Sequence, residues 1–471
     1  MEATLSAGVA VALPARAPAD HWFPSFSVPP LVEVRANAIA GLVVGIIALP
    51  LSIALAVAIG VSPIAGLYTA IFAGGAAAIF GGSRYNITGP TAALVPILSH
   101  AVLRYGPKAL PMAGLMAGGI LLVMSVLRFG RLIRYMPGLV VVGFTAGIAL
   151  SIAFGQVNSF LAVSGTDPGL ERFHEKTWDT LMHLGSVGLS TPLVGLASLG
   201  TLLLWPKAPR LGRIPAPLVA VAAVTGVTWG MGIDTPTIAS RYGNLPREFP
   251  APSLGFFDAG LAWDLLPVAF SIAVLGAVES LLSAVVADGM APTAARHDPD
   301  RELRGQGIAN LVSPVMGGIP ATAAIARTAA GIRSGGTSRL TGVFHAITVL
   351  SATLILGGFA GHIPLATLAA ILLVVAWNIA EAPEVVRLLR KAPREDILVL
   401  VSTILITLFF DLTWAIGFGV LASVVLLLRR LIGLPAAQEL LPDENGRIQQ
   451  VSPELSALIQ SRDDIAFFTA Q

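Results

Sequence analysis

The chain contains no cysteine. Disulfides, thiolate metal sites and cysteine nucleophiles are thereby excluded. Charge is scarce as well: Asp, Glu, Lys and Arg make up 12% of the residues and leave a net charge of +2. With no basic cluster, nothing suggests a nucleic-acid partner. The N-terminal thirty residues lack the basic-then-apolar order of a cleaved leader, so no processing is expected. No glycine-rich phosphate loop occurs, which leaves ATP-driven pumping without support. His100 and His345 are isolated, read as packing or rim residues, and no histidines show metal-ligand spacing. No metal or cofactor is expected. No nucleophile–base pair stands out either, so the chain does not read as an enzyme.

What is present is apolar sequence. Hydrophobic residues make up 55% of the chain, and the mean hydropathy is +0.80. An ordinary soluble globule does not reach such values. The 49 glycines and 33 prolines suit tightly packed membrane spans. The apolar pattern predicts an all-α polytopic membrane protein of fourteen segments, several of them short. They fall at roughly 35–59, 66–81, 88–103, 109–127, 137–155, 190–205, 215–232, 262–288, 304–316, 320–332, 339–358, 364–379, 395–411 and 413–431. With both termini in the cytoplasm, the inner loops would carry eighteen Lys or Arg. The outer loops would carry six: Arg104, Lys108, Arg172, Lys176, Arg241 and Arg247. The positive-inside rule favours that orientation and an even number of spans.

Segments three and ten are both short, and each follows a Gly/Pro-bearing stretch: Asn86-Ile-Thr-Gly-Pro-Thr91 and Gly317-Gly-Ile-Pro-Ala-Thr322. Interrupted segments at matching places in two halves point to inverted seven-segment repeats with a site at the midplane. Helix N-termini there would offer free N–H groups and a positive dipole end to an anion. Ala92 and Ala93 on one side, and Ala323 and Ala324 on the other, would let a solute approach the backbone. The plainer explanation is that Gly and Pro ease helix packing. Beyond Pro435 the chain turns polar, and Asp464–Thr469 reads as a strand, so residues 433–471 are expected to form a cytoplasmic tail. Residues 1–34 are expected to be a cytoplasmic N-terminal segment.

Glu279 lies inside an apolar run, and an ionisable group in a span is a functional candidate by default. It admits two explanations: a structural acid bonded to a neighbouring helix or Arg327, or a cation-coupling site. A carboxyl withdrawn from water spends part of its time neutral. In that form it would not repel an incoming anion, so a proton and an anion could enter together. Ser283, one turn on, shares its helix face and could complete a cation site. Arg327, about one and a half turns into segment ten, could offset substrate charge or snorkel towards Arg333 and Arg339. Asn86, Thr88 and Thr91 could line a cavity or cap their own helix. Ser52, beside the Pro50 break in segment one, is a weaker candidate of the same kind.

Several stretches then resemble the SulP family of anion transporters: Ala48-Leu-Pro-Leu-Ser-Ile-Ala-Leu-Ala56, Ile64-Ala-Gly-Leu-Tyr-Thr69, Thr88-Gly-Pro-Thr-Ala92, Leu275-Gly-Ala-Val-Glu-Ser-Leu-Leu282, Glu302-Leu-Arg-Gly-Gln-Gly-Ile-Ala-Asn310 and Ala324-Ile-Ala-Arg-Thr328. Within it, Ala370–Asn378 and Arg390–Asp396 look most like the DauA-type four-carbon dicarboxylic acid transporters. The resemblance spans about 33–432. It implies a fold shared with UraA-like proteins, a homodimer and an elevator-like motion. The transporter domain would occupy 35–432, its core at about 35–127 and 262–358 and its gate at about 137–232 and 364–431. It also implies substrate contacts at Thr91, Ala92, Ala324 and Ile325, with Glu279 and Ser283 at the coupling positions. Two departures are visible. Leu51 stands where many members have glutamine, and residues 433–471 are expected to hold only the start of the cytoplasmic STAS domain that members normally carry.

The leading expectation is therefore proton-coupled uptake of fumarate, succinate or aspartate across a bacterial inner membrane. The nearby alternative is a bicarbonate or sulfate carrier, with sodium as a further coupling option. An anion channel or voltage-responsive motor is the alternative of another class.

Overall fold

The computed structural model describes residues 30–133, 138–167, 169–170, 173–208, 214–243, 249–291 and 296–409, with 417–418, 421–422 and 425 beyond them. The segment expected at 413–431, the end of 395–411, the tail at 433–471 and most of the N-terminal segment lie outside those residues. The elements below all belong to the compact unit that ends at residue 420.

Thirteen membrane-segment helices follow one another, one for each of the first thirteen expected segments. They are α1 (Leu31–Ile59), α2 (Pro63–Phe80), α3 (Ala92–Tyr105), α4 (Ala109–Val126), α5 (Gly138–Gly155), α6 (Ser190–Leu204), α7 (Ala216–Gly230) and α8 (Ala262–Met290). Then come α9 (Pro299–Val315), α10 (Ile325–Arg333), α11 (Leu340–Ala360), α12 (Leu365–Ile379) and α13 (Arg394–Phe409). Six stretches of at least 18 residues are long and apolar enough to cross a bilayer unaided, α1, α2, α4 and α8 among them.

Local chemistry sets the ends. α1 stops at Gly60, whose φ of 92° places it in the left-handed region that glycine enters freely. α9 starts five residues before its expected boundary, because Asp298 caps it. The Asp298 carboxylate accepts from the N–H groups of Asp300 and Arg301, and Pro299 follows at the first helical position. The break expected at Pro50 is absent: α1 is continuous through it. α2 widens into a π-turn at Thr69–Ala73 before closing again at Gly74.

Among the described residues, strands interrupt the helical pattern at one place. β1 (Thr88–Gly89) precedes α3, and β2 (Thr322–Ala323) precedes α10. They pair antiparallel, Thr88 opposite Ala323 and Gly89 opposite Thr322. Around them the packing obeys an exchange rule. α1 lies on α11 as α8 lies on α4; α4 lies on α9 as α11 lies on α2; α5 lies on α13 as α12 lies on α6. Each partnership survives replacing a helix with the one seven places on, which is the signature of a two-fold repeat. Glycines permit a close crossing of α4 and α9. A Cβ on Gly118 of α4 would lie 2.8 Å from the Gly307 carbonyl of α9, and one on Gly307 would lie 3.0 Å from the Gly118 carbonyl.

Candidate functional site

The two irregular stretches before α3 and α10 are held by a polar face of α9. Glu302, Gln306, Asn310 and Ser313 recur at helical spacing along it, and all are buried. Glu302 Oε2 accepts from the N–H groups of Gly82 at 2.9 Å and Ser83 at 2.8 Å. Its Oε1 accepts from Asn86 Nδ2 at 2.8 Å and Gln306 Nε2 at 3.0 Å. Asn310 bonds both backbone groups of Ala321, and Ser313 donates to the Ile319 carbonyl. From α2, Thr69 accepts from the Ile319 N–H at 2.7 Å. A single helix thus fixes the approach to both strands.

The strand pair in turn fixes the helix ends. Ala324 N–H donates to the Ile87 carbonyl at 3.1 Å, and Ile87 N–H donates to Thr328 Oγ1 at 3.0 Å. The Ala324 N–H is therefore spent. The N–H groups left without an intrahelical acceptor at α10 are those of Ile325, Ala326 and Arg327. Ile325 and Ala326 are exposed, so this end faces open space. At α3, Thr91 is extended, with φ −123° and ψ 153°, and does not cap its own helix.

Its hydroxyl goes to Glu279 instead. Thr91 Oγ1 donates to Glu279 Oε2 at 3.0 Å, which brings the acid of α8 to the amino end of α3. The Thr322 hydroxyl and the Arg327 guanidinium are the other polar groups acting on that carboxylate. Arg327 sits in the first turn of α10, not one and a half turns in, because the helix starts only at Ile325. It is 2% exposed, and snorkelling towards Arg333 and Arg339 is thereby ruled out. Its Nη2 donates to the Pro90 carbonyl, while Nε and Nη1 find no partner among the described residues. The guanidinium passes beneath Gly89, where any Cβ would strike Nη1. A side chain at 89 would therefore displace the guanidinium, so the glycine here serves the arginine and not turn geometry.

Thr91, Ala92, Glu279, Ala324, Ile325 and Arg327 accordingly gather around one strand crossing. Ser283 and Ser52 do not join them. Ser283 Oγ donates to Asn86 Oδ1 at 2.9 Å and lies 3.1 Å from Thr328 Oγ1, fully buried. That places it in the scaffold behind the strands. Ser52 is fully buried on α1, its hydroxyl without a partner among the described residues and its carbonyl against Gly66 of α2. The α9 face shows in the sequence as polar residues at spacings of four, four and three, although only Glu302, Gln306 and Asn310 fall within the family-like stretch and Ser313 lies beyond it. Among the described residues no group of three or more His, Asp or Glu is placed to hold a metal ion.

Residues 34–403 match the Sulfate permease family. YvdB of Bacillus subtilis (strain 168), named a putative sulfate transporter, is 40% identical over 402 residues, covering 85% of this chain and 75% of that protein. The bicarbonate transporter BicA of Picosynechococcus sp. is 28% identical over 451 residues, covering 93% of this chain and 78% of that one. Among solved structures, the transmembrane domain of a cyanobacterium bicarbonate transporter BicA superposes with a TM-score of 0.72 at 27% identity, over 84% of this chain and 98% of that domain. SLC26A9 gives 0.76 at 19% identity, over 85% and 66%, and shares the fold. A repeat of helices crossing at two paired strands, matched in sequence over most of its length, makes this multi-pass membrane protein a member of the Sulfate permease family.

Proposed function

We propose that the protein is a secondary transporter that carries a small oxyanion, of the sulfate or bicarbonate class, together with a proton. The observation that carries this reading is the Glu279 carboxylate held by Thr91 at the amino end of α3, with Arg327 entering from the first turn of α10. With Glu279 ionised, its charge offsets Arg327 and repels a second anion. With Glu279 protonated, the guanidinium and the free N–H groups of both helix ends are available to the substrate. Proton and anion then occupy the site together or not at all.

Substrate charge is recognised here mainly by backbone N–H groups and one guanidinium, which suits compact oxyanions. The relatives bear sulfate and bicarbonate names, whereas the four-carbon dicarboxylates expected from the sequence find no counterpart in them. Alternating access follows if α1–α4 with α8–α11 move as a core against a gate of α5–α7 with α12 and α13. The distribution of Lys and Arg among the loops supports a cytoplasmic placement of both termini.

The test is uptake by reconstituted protein of radiolabelled sulfate, bicarbonate and succinate, with pH and sodium gradients imposed separately. Accumulation of sulfate or bicarbonate driven by an inward proton gradient, and lost in Glu279→Gln, is the expected result. Accumulation that tracks sodium alone, or that survives Glu279→Gln, refutes proton coupling. Conductance that grows without any cation gradient refutes the carrier in favour of a channel.

A further inference from the structure

Behind the strand crossing lies a second group of buried polar atoms that this cycle does not use. His345 of α11 is 0% exposed, and neither ring nitrogen has a hydrogen-bond partner among the described residues. Its ring abuts α2 where the π-turn closes. A Cβ built on Gly74 would stand 3.5 Å from His345 Nδ1 and 2.9 Å from the Thr88 carbonyl. Thr88 adjoins Gly89, under which the Arg327 guanidinium runs, and Arg327 is the charge whose field reaches the ring. The unpaired nitrogens of both residues thus lie along the same strand, those of Arg327 beneath Gly89 and those of His345 across Gly74 from the Thr88 carbonyl.

The donor and acceptor inventory is complementary. Arg327 has unspent N–H groups on Nε and Nη1, and a neutral imidazole supplies one donor and one acceptor. Buried polar groups left unpaired are costly, and the interior sites where several converge are where proteins hold water. A water that accepts from Arg327 and donates to the free imidazole nitrogen satisfies one nitrogen of each residue. Among the described residues Glu279 is the carboxylate that acts on Arg327, so whatever occupies the rear of the guanidinium competes with Glu279 for it.

We propose that an internal water pocket joins Arg327 to His345, and that His345 is a positioning residue that keeps the guanidinium from collapsing onto Glu279. The inference rests on the reading that Arg327 attracts the transported anion. Without the imidazole, Arg327 turns to Glu279, the two charges satisfy each other, and the site loses its affinity for anions.

The experiment uses the full chain in proteoliposomes and whichever of sulfate, bicarbonate or succinate the wild type takes up. His345→Leu keeps the bulk and removes both polar atoms; His345→Gln keeps a donor and an acceptor. The leucine variant should raise KM about tenfold, the worth of one hydrogen bond to a charged group, with Vmax little changed. The glutamine variant should restore most of the affinity. Wild-type KM in His345→Leu overturns the proposal, as does equal impairment of the two variants or a loss of melting temperature with no change in KM. If His345→Leu fails to fold, His345→Phe carries the same expectation. A wild-type KM in Arg327→Gln, or no uptake of any of the three anions by the wild type, sinks the underlying transport reading instead.

Discussion

Replacing Glu302 by Gln tests the scaffold on which the site depends. The two side chains have nearly the same shape, so packing is preserved and the change is one of hydrogen-bond polarity. Both oxygens of Glu302 are fully used: Oε2 by two backbone N–H groups, Oε1 by two side-chain amides, all between 2.8 and 3.0 Å. Glutamine must present its NH₂ to one of these pairs, donor facing donor. Two bonds to a charged acceptor are lost, at roughly 1.5–3 kcal/mol each, and two buried donors are left unpaired. Relaxation recovers part of this, so the net cost is about 3–4 kcal/mol. Whether the pair released is Gly82 with Ser83 or Asn86 with Gln306, the penalty falls on the stretch leading into β1. Such a cost corresponds to roughly 10²–10³ in a local opening equilibrium. The cysteine-free chain offers a direct measure. A cysteine placed at Ile87, which is 1% exposed, reacts with a thiol reagent only when that stretch opens. Glu302→Gln should speed its modification by two to three decades at unchanged reagent reactivity. A change of threefold or less would refute the view that this carboxylate pins the entry to α3.

Other consequences are nearer the site. Gly89→Ala puts a methyl group against the Arg327 guanidinium, so uptake should fall more than tenfold while expression and melting temperature hold; unchanged uptake would show that Arg327 moves freely. Thr91→Val removes the donor to Glu279 without altering shape, and should slow coupled uptake about tenfold, the worth of a bond to a charged acceptor. In Ser283→Ala the Asn86 contact is lost; melting temperature should drop by a measurable amount, consistent with about 1–2 kcal/mol, and cation dependence should stay as in the wild type. A shift in cation dependence there would restore Ser283 to the coupling site.

How far the site could be read in advance differs residue by residue. Glu279 announced itself, because a lone acid in an apolar run has few innocent explanations. Thr91 and Arg327 were named, but their relation to Glu279 was not. Arg327 lay in a stretch whose helical start depends on pairing with β1, a partner more than two hundred residues away. Ser283 shares a helix face with Glu279, and spacing alone cannot tell a coupling ligand from a hydroxyl that ties Asn86 to Thr328. His345 looked like a packing residue for the same reason: nothing in its neighbours along the chain reveals that its ring meets Gly74 and the field of Arg327. Glu302 carried a periodic signal with Gln306 and Asn310, yet the groups it binds come from a loop before a different helix.

Residue order alone places this protein in a bilayer, bounds its thirteen described membrane-segment helices to within about five residues, and shows that its halves repeat. Hydropathy and glycine/proline punctuation are local properties, and local properties suffice for these. Only the tertiary structure decided that β1 and β2 cross, that α9 braces both, and that Glu279 meets Thr91 beside Arg327. Those contacts join residues far apart in the chain, and the geometry that selects them is set by which helices pack together.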